Sequence, residues 1–169
     1  DRLKHFIGNF DRLWVMTDPP DYEPRPEDAI GAKARALGRE PLEYVYDLLL
    51  QQDGRQLFFT PFANYAEFNL DCCREMLLSE HCVPGLGAGG AHVGTICDGS
   101  FTTYLLAQWA RDRNRGAQID LPTLVRKQTH DTARAVGLDD RGVIAPGMKA
   151  DLNVIDFANL RVRAPTIVR

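Results

Sequence analysis

Short β-prone apolar runs alternate with helix-patterned stretches through the first 137 residues, and this alternation limits the fold more than any other feature of the sequence. Residues 12–16 read as a strand. Pro19, Pro20, Pro24 and Pro26 then impose an extended loop, because proline fixes φ and supplies no N–H. Pro26 suits the first turn of a helix carrying Ala29, Ile30, Ala36 and Leu37, with Gly38 as its stop. Pro41 opens a second helix, with Leu42, Val45, Tyr46 and Leu49 at helical spacing and Asp53-Gly54 ending it. Residues 57–62 form an apolar run of the kind buried on both faces of a sheet. A third helix is expected over 65–78, with Phe68, Cys72, Met76 and Leu77 on one side, and a short strand over 82–86.

Further helices follow over 101–111, with Phe101, Tyr104, Leu105 and Trp109 inward, and from an Asp120 N-cap through Pro122 to Gly137. Strands interleaved with helices argue for an α/β fold with a parallel sheet. After Gly137 the pattern changes to turns at 139–142 and at Pro146-Gly147, followed by an alternating strand over 152–155. Residues 1–137 are therefore expected to be barrel-like, and 138–169 the start of a small β element. A closed eight-stranded barrel takes about 250 residues. The 169 present supply about three core strands before residue 100, so a partial barrel is the expectation. The chain also begins at Asp1, and residues 1–13 read like the interior of something longer.

Charge and cysteine usage narrow the partners. Twenty Lys and Arg against 23 Asp and Glu give a net charge of −3, without the basic excess that phosphate binding uses, so nucleic acid is excluded as an expected partner. No apolar run reaches membrane-spanning length. The four cysteines, Cys72, Cys73, Cys82 and Cys97, show no C-x-x-C and read as packing thiols in a cytoplasmic protein.

The chemistry-bearing candidates are few. Gly85-x-Gly87-x-Gly89-Gly90 follows an expected strand, but it is not G-x-G-x-x-G leading into a helix. It reads either as a tight bend at a barrel rim or as backbone brought close to a ligand. His92, just beyond, stands where α/β folds gather their sites, although a lone loop histidine also serves as a structural tie. His5, His81 and His130 are scattered, with no H-x-H, H-E-x-x-H or H-x-x-x-H to hold a metal. There is no G-x-S-x-G, and Ser79 and Ser100 are the two serines. Ser100 and Asp98 read as cap or turn residues, and sequence distance alone does not make Cys97 and His92 a catalytic pair. Asn64 and Tyr65, after the run at 57–62, are further rim candidates.

Two stretches resemble a known family. Gly85-Leu86-Gly87-Ala88-Gly89-Gly90-Ala91-His92-Val93-Gly94-Thr95 resembles the segment after the eighth barrel strand of the N-acyl-D-amino-acid deacylases, in the amidohydrolase superfamily of metal-dependent (β/α)8 TIM barrels. Gly142-Val143-Ile144-Ala145-Pro146-Gly147-Met148-Lys149-Ala150-Asp151-Leu152 is similar to the superfamily's return from barrel to small β domain. Asp18-Pro19-Pro20-Asp21-Tyr22-Glu23-Pro24 and Arg126-Lys127-Gln128-Thr129 also look like deacylase segments. The resemblance implies a hydrolase in which a barrel-mouth metal, usually zinc, polarises the amide of an N-acyl amino acid, while an Asp moves the proton between water and leaving amine. It places Gly89, Gly90, His92, Asn64 and Tyr65 near substrate, with His92 either orienting substrate or tying down the loop.

Two departures alter that expectation. The family pattern has Ser-Asp where this chain has Gly87 and Ala88, and Pro84 removes an N–H from the expected strand. The superfamily's first-strand H-x-H has no counterpart here either. The chain alone is therefore expected to hold no metal, to keep no intact catalytic residue and to hydrolyse nothing. The alternative is a non-catalytic binding or assembly module descended from the family, which Ala88 favours. An Ala88 engineered to trap substrate is a third reading, against which the accompanying Gly87 and Pro84 argue. A partial barrel would also expose strand edges and an apolar interior through which copies could self-associate.

Overall fold

The computed structural model describes residues 8–85 and 98–167. The chain divides into two compact units, Asp1–Leu70 with Arg163–Arg169, and Asp71–Val162. Both helices and strands occur, the sheet among the described residues being small and antiparallel.

In the first unit, β1 (Trp14–Val15) pairs antiparallel with β2 (Phe58–Phe59), Trp14 lying opposite Phe59 and Val15 opposite Phe58. The Met16 N–H extends the ladder to the Leu57 carbonyl at 2.9 Å. Alternation along each strand divides the packing. Leu13, Val15 and Phe58 join Ile30, Val45 and Leu48 in one cluster. Trp14 and Phe59 join Ala29, Tyr65 and Phe68 in the other. The expectation of a parallel ladder is corrected for these strands. The run at 57–62 contributes two strand residues, because Pro61 offers no N–H and Phe62 turns outward, 62 % exposed.

Helix α1 (Ile30–Ala36) is tied to β1 by the Ile30 N–H on the Leu13 carbonyl at 2.8 Å. It packs close to the chain before β1. A Cβ on buried Gly31 would lie 3.0 Å from the Phe10 carbonyl carbon. Gly38, at φ +66°, stops the helix as expected, and the Arg39 N–H returns to the Ala34 carbonyl at 2.9 Å. Helix α2 (Pro41–Leu49) starts at its proline and buries Val45 and Leu48. It ends before the expected Asp53-Gly54, because the turn Gln51–Gly54 contains left-handed Gln52 and Asp53 (φ +52° and +57°).

The second unit begins with helix α3 (Asp71–Leu78). Its expected start at 65 is corrected: Phe68 takes a left-handed φ of +54° and packs with Trp14 and Tyr65 in the first unit's core. Helix α4 (Phe101–Ala107) runs into a π-helical turn, Gln108–Asp112, closed by the Arg113 N–H on the Gln108 carbonyl at 2.8 Å. Leu105, Leu106, Ala107 and Trp109 are buried there, whereas Phe101 and Tyr104 are only half-buried. Ser100 occupies the N-cap position without a side-chain cap bond.

Helix α5 (Leu121–Arg126), a π turn (Lys127–Asp131) and α6 (Thr132–Ala135) follow in direct succession. The Asp120 carboxylate accepts the Thr123 N–H at 2.9 Å, and Gly137 (φ +75°) ends the run, both as expected. The Thr123 bond holds the Asp120 carboxyl below the ordinary carboxylate range. A depressed folded pKa contributes stability above the unfolded value and loses it as pH falls through the folded one. Asp120→Ala should therefore lower the melting temperature near neutrality and flatten its fall on acidification. Parallel acid titrations of native and variant would rule this out by matching in slope.

The expected strand at 82–86 does not form over its described part. Residues 82–85 are irregular, and Pro84 cannot donate to a ladder. The run at 152–155 is likewise unpaired in any ladder among the described residues, with Leu152, Val154 and Ile155 exposed. A strand needs neighbours to be stable, and none is supplied there. The turns expected near 139–142 and Pro146-Gly147 are present. Gly142 (φ +89°) lies so close to the π turn that a Cβ would meet the Thr129 carbonyl oxygen at 2.9 Å.

Candidate functional site

The proline-rich loop is fastened over the aromatic cluster of the first unit. The Trp14 indole N–H donates to the Arg25 carbonyl at 2.8 Å, and the Tyr65 hydroxyl to the Pro24 carbonyl at 2.5 Å. Within the loop, the Glu23 N–H bonds to an Asp21 carboxylate oxygen at 2.8 Å, making a local turn. Glu23 itself is buried, and its carboxylate accepts the Leu70 N–H at 2.8 Å. Arg12 donates to the Tyr65 and Ala66 carbonyls at 2.8 and 2.9 Å, its guanidinium 4.5 Å from the centre of the Phe68 ring.

This arrangement separates two of the sequence candidates. Tyr65 is 2 % exposed and stands edge-on to Trp14 and Phe68, with ring centroids 6.0 and 6.1 Å away. Its neighbour Asn64 is exposed, in left-handed backbone at φ +60°. The other candidates, Gly89, Gly90 and His92, lie outside the described residues, as do Gly87, Ala88 and Cys97. Cys72, Cys73 and Cys82 are thiols.

In the second unit, cationic side chains gather backbone carbonyls from distant stretches of the chain. Arg113, wholly buried in its side chain, donates to Asp71 at 2.7 Å and to the Ala117 carbonyl at 2.8 Å. Its guanidinium lies 4.8 Å from the centre of the Trp109 ring. Gly116 (φ +109°) leaves room for that side chain, since a Cβ there would stand 2.6 Å from an Arg113 nitrogen. Arg111 gathers the Phe157, Ala158 and Leu160 carbonyls onto the π turn. Lys127, also buried, donates to the Ser79 and Cys82 carbonyls. One signal in the sequence marks Lys127: it lies three residues after buried Leu124, on the inward stripe of its helix. Arg113 and Glu23 carry no comparable mark.

The titratable groups show modest electrostatics. Asp131 is held below its ordinary range by its hydrogen bond with His130, at 3.0 Å, and by the charges of Arg126 and Lys127. Among the described residues, no three His, Cys, Asp or Glu side chains converge to hold a metal ion. No described helix is long and apolar enough to cross a membrane. A groove of about 550 Å³ runs along α2, with Leu42, Tyr46 and Leu49 on its walls and the Arg39–Asp47 ion pair (2.5 Å) at its edge.

Comparison with known proteins adds a match over most of the chain: a family model described as "Amidohydrolase family" matches residues 25–169. No curated protein and no solved structure matches.

Proposed function

The chain belongs to the amidohydrolase family, and from that premise we propose that it is the closing part of the barrel of an N-acyl-D-amino-acid deacylase relative whose proton-moving carboxylate has become Ala88. The observation that carries this reading is the motif Gly89-Gly90-Ala91-His92, preceded by Gly87-Ala88 in place of Ser-Asp. On this reading residues 1–137 derive from a partial TIM barrel and 138–169 open the small β domain, while Gly89, Gly90 and His92 border the substrate. The exposed Leu152, Val154 and Ile155 accord with a β element that completes itself elsewhere, or by self-association. The thiols suit a cytoplasmic setting.

In the family a metal, usually zinc, supplies Lewis-acid chemistry at the amide. The described residues of this chain do not assemble a donor set for it. What this chain contributes is shape at the rim, and a methyl group where a base would stand. A methyl neither takes nor returns a proton, and loss of a general base costs about 10² to 10⁴ in rate. The same substitution favours a second reading, a descendant that binds an N-acyl amino acid without cleaving it.

The gene product, assayed with zinc against matched N-acyl-D- and N-acyl-L-amino acids, should release no amino acid above background. Turnover of the D-substrates would show that Ala88 does not silence the site. Turnover of the L-substrates alone would remove the deacylase branch. A saturable rise in melting temperature with an N-acyl-D-amino acid, without release, would support the binding reading.

A further inference from the structure

Helix α2 carries two apolar stripes, and the core of the first unit uses one of them. Val45 and Leu48 face inward and join the cluster around Leu13 and Ile30. Leu42, Tyr46 and Leu49 recur at i, i+4 and i+7 on another face, where Leu42 is 64 % and Tyr46 62 % exposed. These three wall the groove of about 550 Å³, and Leu50, just past the helix, is exposed as well. Single surface leucines are ordinary, but an apolar stripe running along a groove marks a contact surface.

The charges beside the stripe select its occupant. Arg39 stands one residue before the helix N-cap and Asp47 lies in the last turn, so opposite charges mark opposite ends of the groove. Within one chain they meet at 2.5 Å through one guanidinium nitrogen, and a guanidinium has five N–H donors to offer. A second copy of α2, run in the opposite direction about a two-fold axis near Tyr44, sets Leu42 of each copy against Tyr46 of the other. The same register brings Arg39 of each copy toward Asp47 of the other and lays its aliphatic stem over Leu49. The face is thus complementary to itself reversed, in shape of pattern and in charge, as a two-fold interface requires. Glu43, which also lines the groove, meets its own counterpart near the axis and is the repulsive feature of this register. We propose that the α2 groove seats a second copy of this chain, antiparallel, through Leu42, Tyr46 and Leu49 and reciprocal Arg39–Asp47 pairs. A few side chains per copy place this interface below about 1,200 Å² in total, the size class of weak and transient contacts, so the dimer forms at micromolar concentration. The proposal depends neither on the deacylase reading nor on residues 152–155.

Sedimentation velocity on the full gene product, from about one to a few hundred micromolar, should show a monomer–dimer equilibrium. Leu42→Gln combined with Tyr46→Gln, both at exposed positions, should raise the dissociation constant by about thirtyfold or more, the loss expected of interface anchors. Glu43→Gln should lower it by about two- to fivefold by removing the like-charge contact. The register has its own test. Arg39→Glu and Asp47→Arg should each weaken self-association, and an equimolar mixture of the two should form a heterodimer about tenfold more stable than either homodimer, because both cross-pairs are then attractive. A monomer at every concentration would overturn the proposal, including the case in which another part of the same chain fills the groove. A dimer unaffected by the glutamine pair, as one formed through residues 152–155 would be, overturns it equally, and so does a mixture with no preference for the heterodimer. Should the glutamine pair fail to fold, the charge-exchange mixture decides alone. None of these readouts involves turnover, so the interface and the deacylase reading fail independently.

Discussion

In a gene product that also supplies the H-x-H these 169 residues lack, Ala88→Asp is expected to raise hydrolysis of N-acyl-D-amino acids to about 10² to 10⁴-fold over the native background. The argument is chemical. Amide cleavage needs a group that accepts a proton from the attacking water and returns it to the leaving amine, and a carboxylate at position 88 supplies that group where alanine cannot. The gain should fall toward the lower end for the single variant. Gly87 has no hydroxyl to offer the new carboxylate, and Pro84 has no N–H to give a ladder. Gly87→Ser combined with Ala88→Asp should therefore exceed the single change. Initial rates on D- and L-substrates, with zinc present, read both claims, and the active variant should acquire an acid limb in its pH profile from the new carboxylate. A folded double variant with no gain on D-substrates would mean that the lost aspartate is not what silences the site, and the binding-module reading would then lead.

The features legible in the sequence were those whose causes are local. Pro41 starting α2, Asp120 capping α5 and Gly38 and Gly137 ending their helices each act within a turn, so residue type alone located them. Strand pairing is decided by partners far away along the chain, which residue type alone does not reveal. The run at 57–62 forms a two-residue antiparallel ladder, whereas the described part of the run at 82–86 and the run at 152–155 pair in no ladder among the described residues. Phe68 shows the same limit from another side. Its spacing fitted a helix, but a left-handed φ and the attraction of the Trp14–Tyr65 cluster placed it in the turn before α3. Buried charges were the least legible, because Arg113 and Asp71 are 42 residues apart and Glu23 and Leu70 are 47 apart. Of the candidate site, Tyr65 was located by its place after an expected strand, yet its side chain serves the core. The significance of Ala88 is visible only against a family pattern, since nothing in the physical chemistry of an alanine marks a missing base.

Trp14→Ala should cost the first unit about 3–5 kcal/mol, the largest stability loss expected from any single change in it. Trp14 is 2 % exposed and lies between Phe59, Tyr65 and Phe68, at centroid distances of 6.4, 6.0 and 6.2 Å. Its indole bond to the Arg25 carbonyl also ties the proline-rich loop to the β1–β2 ladder, beside the edge-on contact of Tyr22 with Phe59 at 5.3 Å. Truncation leaves a cavity lined by three rigid rings that are poorly able to collapse into it. Trp14→Phe divides the effect into its parts. It keeps most of the apolar contact and loses the hydrogen bond, at a cost near 1 kcal/mol, because Arg25 is exposed and water can reach its carbonyl. Urea titrations followed by circular dichroism compare the three proteins, and Trp109 remains as the single indole reporter in both variants. If Trp14→Phe proves as damaging as Trp14→Ala, the indole bond to the loop rather than ring packing dominates. If Trp14→Ala costs less than about 1 kcal/mol, the aromatic cluster is not what holds this unit together.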